Sequence, residues 1–428
     1  MVTGKTYDSD LIGTSASPDT FGARTVEAAY AELAVPVISP EMGVPLMRNI
    51  ELQIAGRFEH YSDAGSVAKP KIAGSWDVFD GLRLRGSYSE GFKAPNLEQV
   101  NATLVTRSNT QTDWVRCEAD LRAGRIASFD DCSESYSVTS RRSGNPDLKP
   151  EESRTWSAGI VLEPKFIPSR FGRLTLTADY WDVHQTGIVG LFGANNATIE
   201  DYLLRTQGSS NPDVVRAAPT TDDIAQFAGT GIDPVGQILY VTDAYRNLLP
   251  QHASGIDFGL TWRLRDTGIG DFTLNLNAAY LRKFYQSPSP DVAALMAARD
   301  AGDINAGTYI SGGGDLVRQD GKPRWKGSGS LTWSYKQFQI GAYSQYTGSI
   351  YDNGLTDSAG EAWLVSDQLT FNLYGQVTVG QRDSRQYQFR LGARNLFDKA
   401  PPLSSDGYYA SLYNPYGRYL YVNVRTSF

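Results

Sequence analysis

Tyr419-Leu420-Tyr421-Val422-Asn423-Val424-Arg425-Thr426-Ser427-Phe428, the last ten residues, alternate in character up to an aromatic end. Leu420, Val422, Val424 and Phe428 share one parity, and Tyr421, Asn423, Arg425 and Ser427 share the other. A strand sends successive side chains to opposite faces, so this segment has one oily side and one wet side. Two settings fit such a strand. One is the edge of a soluble sandwich; the other is the closing strand of an outer-membrane barrel, with lipid outside and water or a plug inside. The rest of the chain chooses between them.

The same alternation recurs upstream. Ile50, Leu52, Ile54 and Phe58 alternate with Glu51, Gln53, Arg57 and Glu59; Leu82, Leu84 and Tyr88 with Arg83, Arg85 and Ser87; Leu174, Leu176 and Tyr180 with Thr175, Thr177 and Asp179. Further runs lie at 156–162, 256–264, 272–280, 331–335, 338–342, 369–379 and 387–393, with weaker ones at 26–35 and 72–78. The period-2 criterion gives about thirteen strands, many near ten residues, a length that suits a tilted bilayer span. Arg, Asn, Gln and Thr recur on the polar faces, which a dry core would not tolerate unpaired.

Connections sort into two kinds. Asp80-Gly81, Thr267 to Gly270, Lys336-Gln337 and Arg382 to Arg385 are short; 94–152, 186–251, 286–321, 351–362 and 398–417 are long. Tight turns on one rim and long loops on the other describe a membrane barrel, because only the outward rim meets ligand. Two loops carry helix signals. Thr198 with Asp201 reads as a cap for a helix running to Gly208, and Ser289-Pro290-Asp291 opens a second that ends at Gly302. Such helices either pack the loops or form a lid.

Composition agrees with this reading. A net charge of −7 argues against nucleic acid as the partner, and no apolar run approaches the 18 residues of a transmembrane helix. Met1 to Asp10 lacks the pattern of a signal peptide, so a late reading-frame start or a C-terminal fragment is the expectation. The two cysteines, Cys117 and Cys132, share one loop and should pair in an oxidising compartment. Closing about 15 residues would restrict the unfolded chain by roughly 3 kcal/mol. His60, His184 and His252 have no metal-ligand spacing, and nothing in the sequence calls for a cofactor. Without Gly-x-Ser-x-Gly, a Ser-His pair at suggestive spacing or a ligand cluster, the chain reads as not an enzyme.

Three motifs carry a family resemblance: Gly86-Ser-Tyr-Ser-Glu-Gly-Phe-Lys-Ala-Pro-Asn-Leu97, Asn145-Pro-Asp-Leu-Lys-Pro-Glu-Glu152 and Asn395-Leu-Phe-Asp-Lys399, followed by a tyrosine-rich loop and the terminal strand. In this order they resemble the barrel of TonB-dependent outer-membrane receptors. The resemblance implies an all-β, antiparallel transmembrane barrel, about thirteen strands of a wall of twenty-two, in the outer membrane of a Gram-negative bacterium. It further implies a plug, a TonB partner reached through that plug, and uptake of a scarce siderophore, cobalamin or glycan. Leu420, Val422, Val424 and Phe428 resemble the signal that barrel-assembly machinery reads. A passive porin is the alternative, although porins do not usually pair these motifs. Ligand contacts are expected from loop aromatics and arginines: Trp114, Arg116, Tyr309, Arg318, Tyr408, Tyr409 and Tyr413.

Overall fold

The computed structural model describes residues 21–427 apart from 103, 307, 320, 358–361, 381–384 and 406. The Met1 to Asp10 stretch, Phe428 and most of the 382–385 turn therefore lie outside the described residues. Thirteen strands follow one another through space in chain order, each antiparallel to the next. They are β1 Val26–Ile38, β2 Asn49–Tyr61, β3 Gly65–Phe79, β4 Leu82–Lys93, β5 Glu151–Leu162, β6 Arg173–Thr186 and β7 Gln251–Leu264, then β8 Asp271–Gln286, β9 Trp325–Tyr335, β10 Phe338–Thr347, β11 Gln368–Gly380, β12 Gln386–Arg394 and β13 Tyr419–Ser427. This is the wall of an antiparallel transmembrane β-barrel. Among the described residues β1 pairs only with β2 and β13 only with β12, so both edges of the wall are open.

Several strands outrun the alternating segments that announce them. β3 starts at Gly65 rather than Ile72, and β9 at Trp325 rather than Leu331. Strand ends that project past hydrocarbon need no oily face, so the period fades there while the backbone ladder continues.

Side-chain parity separates the two faces. Trp156, Leu331, Leu391 and Val422 stand exposed on the convex face, from 44% of the surface at Leu331 to 73% at Val422. Lipid, not protein, must cover them. The concave face holds ion pairs and amide contacts instead. Arg83 binds Asp77 at 2.5 and 2.7 Å, Thr261 donates to Asn275 at 3.1 Å, and Asn372 accepts the Asn395 N–H at 2.8 Å. Arg83, Asn275 and Asn372 thus share the inner surface, opposite the leucines.

Two aromatic girdles mark the edges of the oily band. At the short-turn rim the indoles of Trp76, Trp262 and Trp333 donate to the carbonyls of Leu46, Phe171 and Ile269, at 2.7–2.8 Å. Each ring thereby satisfies a turn carbonyl at the border of lipid. At the other rim Tyr88 packs on Trp156 and Tyr280 on Trp325, with centroids 4.5 and 4.7 Å apart. Trp325 and Trp333 stand on the same strand, eight steps apart. At roughly 3.3 Å per step that is about 26 Å along the strand, and less along the normal once it tilts. This spacing suits a band roughly 25 Å tall.

Inside the wall, glycines let large side chains lie across neighbouring strands. Gly341, Gly392 and Gly255 face Tyr374, Tyr421 and Trp181 in register, and a Cβ on any of the three would come within 2.5 Å of the opposing ring.

The five longest connections all leave from one rim. The sorting is not complete, since the connection 62–64 between β2 and β3 opens on that rim with three residues, while 39–48 and 163–172 on the opposite rim have ten each. Nearly all buried apolar side chains belong to the five longest connections rather than to the wall. Helix α1, Trp114–Arg122, comes from the first long loop; α2, Ala194–Thr206, and α3, Thr221–Phe227, come from the second; α4, Pro290–Ala301, comes from the third. One hydrophobic cluster joins them through Val115, Phe129, Ile199, Tyr202, Phe227 and Leu295. The first two loops are also tied by a small sheet, in which Ile238–Ala244 pairs in parallel with Ser135–Ser143. The three loops form a cap with a core of its own.

The expected cap at Thr198 is overturned. The helix begins at Ala194, with Gly193 at its N-cap, and Thr198 lies inside it with its hydroxyl donating to the Asn195 carbonyl. Asp201 is not a capping partner either; it is fully buried and holds Arg205 and Arg216. The Ser289 helix runs Pro290–Ala301, with the serine hydroxyl accepting the Val292 N–H and Gly302 closing it at φ 82°.

Candidate ligand-binding site

A cavity of about 1140 Å³ lies between the concave faces of β10 to β13 and the underside of the last loop. Gln345, Gln368, Thr370 and Asn372 line it from the wall. Arg394 and its register partner Tyr419 stand at its rim, and Lys399, Tyr413 and Tyr416 close it from the loop side. No carboxylate lines it among the described residues. The tip of the loop, Ser411-Leu412, also reaches a second luminal hollow lined by Asp179, Asp257 and Lys326.

The Asn395 motif explains how the loop is held. Asn395 takes a left-handed φ of 48°, accepts the Lys399 N–H at 2.9 Å and donates to the Lys399 and Tyr416 carbonyls at 2.8 and 3.3 Å. Asp398, also left-handed, accepts the Arg418 N–H at 2.6 Å. One Asn and one Asp thus tie the exit of β12 to the entry of β13 and fix Arg394 at the mouth of the cavity. Deeper in the lumen Arg390 donates to Gln376 and lies over the Tyr374 ring, 4.3 Å from its centroid.

The seven ligand candidates do not form one site. Tyr408, Tyr409 and Tyr413 come together around buried Ile350 and Val365, and of the seven only Tyr413 lines the large cavity. Burial, and secondarily the charge of Asp367, pushes the Tyr413 hydroxyl up, and it meets no hydrogen-bond partner among the described residues. Arg318 bonds Ser349 at 3.0 Å and lies 4.7 Å over the Tyr351 ring. Tyr309 is half-buried, its carbonyl bonded to Asn195.

Trp114 and Arg116 are used up inside the cap. Trp114 stacks on Phe129, and Arg116 is 6% exposed, donating to Asp223, to Gln226 and to the Val235 carbonyl. Its partner Cys117 is bonded to Cys132, with Cα atoms 5.5 Å apart. Beside them Arg216 grips Asp113 through two bonds of 2.7 and 3.0 Å and Asp201 through one of 2.9 Å, so first and second loops share buried charge. Tyr136 donates to the same Asp113 at 2.7 Å, and burial raises its hydroxyl well above the phenol range. The Asn145 motif makes the matching link below: Asn145 donates to the Tyr245 carbonyl, and Lys149 N–H to Asn247.

Sequence reasoning missed the wall contribution. Arg394, Gln345 and Asn372 carry the polar parity of their strands, a signal that was present but equal in weight to every other polar position. It also found no metal-ligand spacing. In the structure, however, His184 and His252 are direct cross-strand partners on β6 and β7, with Asp182 beside them.

A lipid-facing wall with two aromatic girdles, a structured outer cap and a cation-rimmed luminal cavity define a transmembrane β-barrel with long structured loops on one rim. The model of the family described as TonB dependent receptor-like, beta-barrel matches residues 3–396, and the chain belongs to that family. Solved relatives share the fold. The siderophore receptor PirA from Acinetobacter baumannii is 16% identical, with a TM-score of 0.55 over 94% of this chain and 45% of that one. A variant of the ferric enterobactin receptor PfeA from Pseudomonas aeruginosa, solved with enterobactin, is 18% identical, with a TM-score of 0.56 over 94% and 45%. The chain therefore spans just under half the length of these receptors.

Proposed function

We propose that this chain builds the larger part of the wall and the binding face of an energy-coupled receptor that imports an anionic, aromatic iron chelate. The luminal cavity carries this reading. Arg394 and Lys399 supply positive charge, three tyrosines supply flat faces, and no carboxylate lines the space among the described residues. A ferric catecholate has the complementary chemistry: negative charge for the cations and rings for the tyrosines. A neutral glycan would leave both cations without a partner, and cobalamin would gain little from them. The volume exceeds the usual range for small ligands, roughly 300–1,000 Å³, as a chelate of this size requires.

The open edges of β1 and β13 support completion by further strands, because unpaired backbone in lipid costs several kcal/mol per group. A plug inside the closed wall would couple movement to the TonB system. A capped mouth with its own hydrophobic core favours this gated reading over a passive pore.

The test is tryptophan quenching of the assembled receptor in liposomes by a ferric tris-catecholate, with cyanocobalamin and maltoheptaose as comparisons. The catecholate should bind, more tightly at low salt, and Arg394→Glu should weaken it at least tenfold, on the order of 1.4 kcal/mol. Binding of the oligosaccharide or cobalamin alone, indifferent to Arg394→Glu, would overturn the proposal.

A further inference from the structure

We infer that the outer rim of the wall carries a divalent transition-metal site made by Asp182, His184 and His252. Two regularities of the sheet create it. Asp182 and His184 are two residues apart on β6 and so share a face, and His252 is the register partner of His184 on β7. One ligand atom from each of the three side chains lies within 4.8 Å of the other two, the distance set that one ion can span.

The present contacts already converge on that point. His252 Nε2 lies 2.9 Å from one carboxylate oxygen of Asp182 and His184 Nε2 3.2 Å from the other. The imidazoles stack at 3.8 Å with an interplanar angle of 21°. Imidazole ligates metal through a ring nitrogen, and each ring here turns its Nε2 toward the Asp182 carboxylate. Tyr180 donates to Asp182 at 2.9 Å and so holds the carboxylate in place. Arg282 reaches the Tyr180 hydroxyl at 3.4 Å, and Arg154 is the register partner of His184 on the other side.

Location and donor type narrow the occupant. The trio continues the convex parity of Leu174, Leu176, Ala178 and Tyr180, at the end of β6 where the second long loop departs. Asp182 is the register partner of Trp156 in the outer girdle, His184 lies two residues further toward the loop, and the His184 side chain is 54% exposed, within reach of water and ions. Two imidazoles with one carboxylate suit Zn²⁺, Cu²⁺ or Ni²⁺, whereas Ca²⁺ and Mg²⁺ prefer all-oxygen sets. Three protein ligands leave a coordination position for water or an outside anion. A bound ion would staple β6 to β7 at the base of the cap, a role separate from the luminal cavity.

The probe is ZnCl2, titrated by calorimetry into the full chain purified in detergent without a histidine tag, with Co²⁺ absorption in the visible as a second readout. One equivalent should bind at neutral pH. His184→Ala, His252→Ala and Asp182→Asn should each weaken it at least tenfold and remove the Co²⁺ bands. His60→Ala, which alters the remaining histidine, should leave binding unchanged. Lowering the pH to about 5.5 should release the ion as the imidazoles protonate. Heat-modifiability on gels should rise in temperature with Zn²⁺ for the unaltered protein and for His60→Ala only. No saturable binding, binding that survives His184→Ala with His252→Ala, or loss of binding in His60→Ala would overturn the assignment.

Discussion

Arg85 on β4 grips Asp179 on β6 across the intervening strand, with Nε–Oδ1 at 2.7 Å and Nη2–Oδ2 at 2.6 Å. The crossing is possible because Gly159 of β5 lies between them in register, where a Cβ would come 1.9 Å from the carboxylate. Asp179 also faces Asp257 on its other side, so the guanidinium offsets a pair of opposed acids.

Gly159→Ala should part this pair. Both partners are partly solvated, so the cost should not exceed about 1 kcal/mol. Urea unfolding in lipid vesicles, followed by tryptophan fluorescence, reads it. With Asp179→Ala already present, Gly159→Ala should cost nothing measurable; an equal penalty in both backgrounds would show that the glycine serves some other end.

Replacing Cys117 and Cys132 by serine should loosen the cap while sparing the wall. The bond closes a sequence separation of 15 residues, which restricts the unfolded loop by roughly 3 kcal/mol. Limited proteolysis should then cut within 94–150, while heat-modifiability of the barrel stays as before. Unchanged protease resistance would mean that the cluster around Val115 suffices alone.

Arg216→Met should be the most damaging single change in the cap. It removes the cation that Asp113 and Asp201, both fully buried, share, leaving Asp201 to Arg205 and Asp113 to the Tyr136 hydroxyl, and breaking a buried pair costs up to about 3–5 kcal/mol. Adding Asp113→Asn and Asp201→Asn should recover much of that loss. Failure of the triple variant to regain protease resistance would count against charge burial as the cause.

Glu200 gives a pH signature. Burial first, then the charges of Asp291 and Asp213, hold its carboxyl above the usual carboxylate range. A carboxyl raised on folding costs nothing below its unfolded value, roughly 4.3, and increasingly destabilises as pH climbs through the folded value. Glu200→Gln should therefore protect the cap from proteolysis at pH 7 and change nothing near pH 4. Equal protection at both would point to its bond with Asn211 instead.

The alternation at Ile50 to Phe58 or Leu174 to Tyr180 is a local property, so wall, lipid-facing side and strand count were legible residue by residue. Asn395 and Asp398 were legible as a motif at a strand exit, though not as the clamp that aims Arg394. Trp114 and Arg116 read as ligand contacts because an exposed loop was assumed; three loops sharing a core turned them inward.

The order of residues by itself determined which face of each strand could meet hydrocarbon, because period-2 patterning needs only neighbours along the chain. Only the tertiary structure decided that Arg85 meets Asp179, that His184 meets His252 and that Arg216 joins two loops. Those meetings depend on register across strands and on packing between segments some 70 to 100 residues apart, distances over which a linear reading carries no metric.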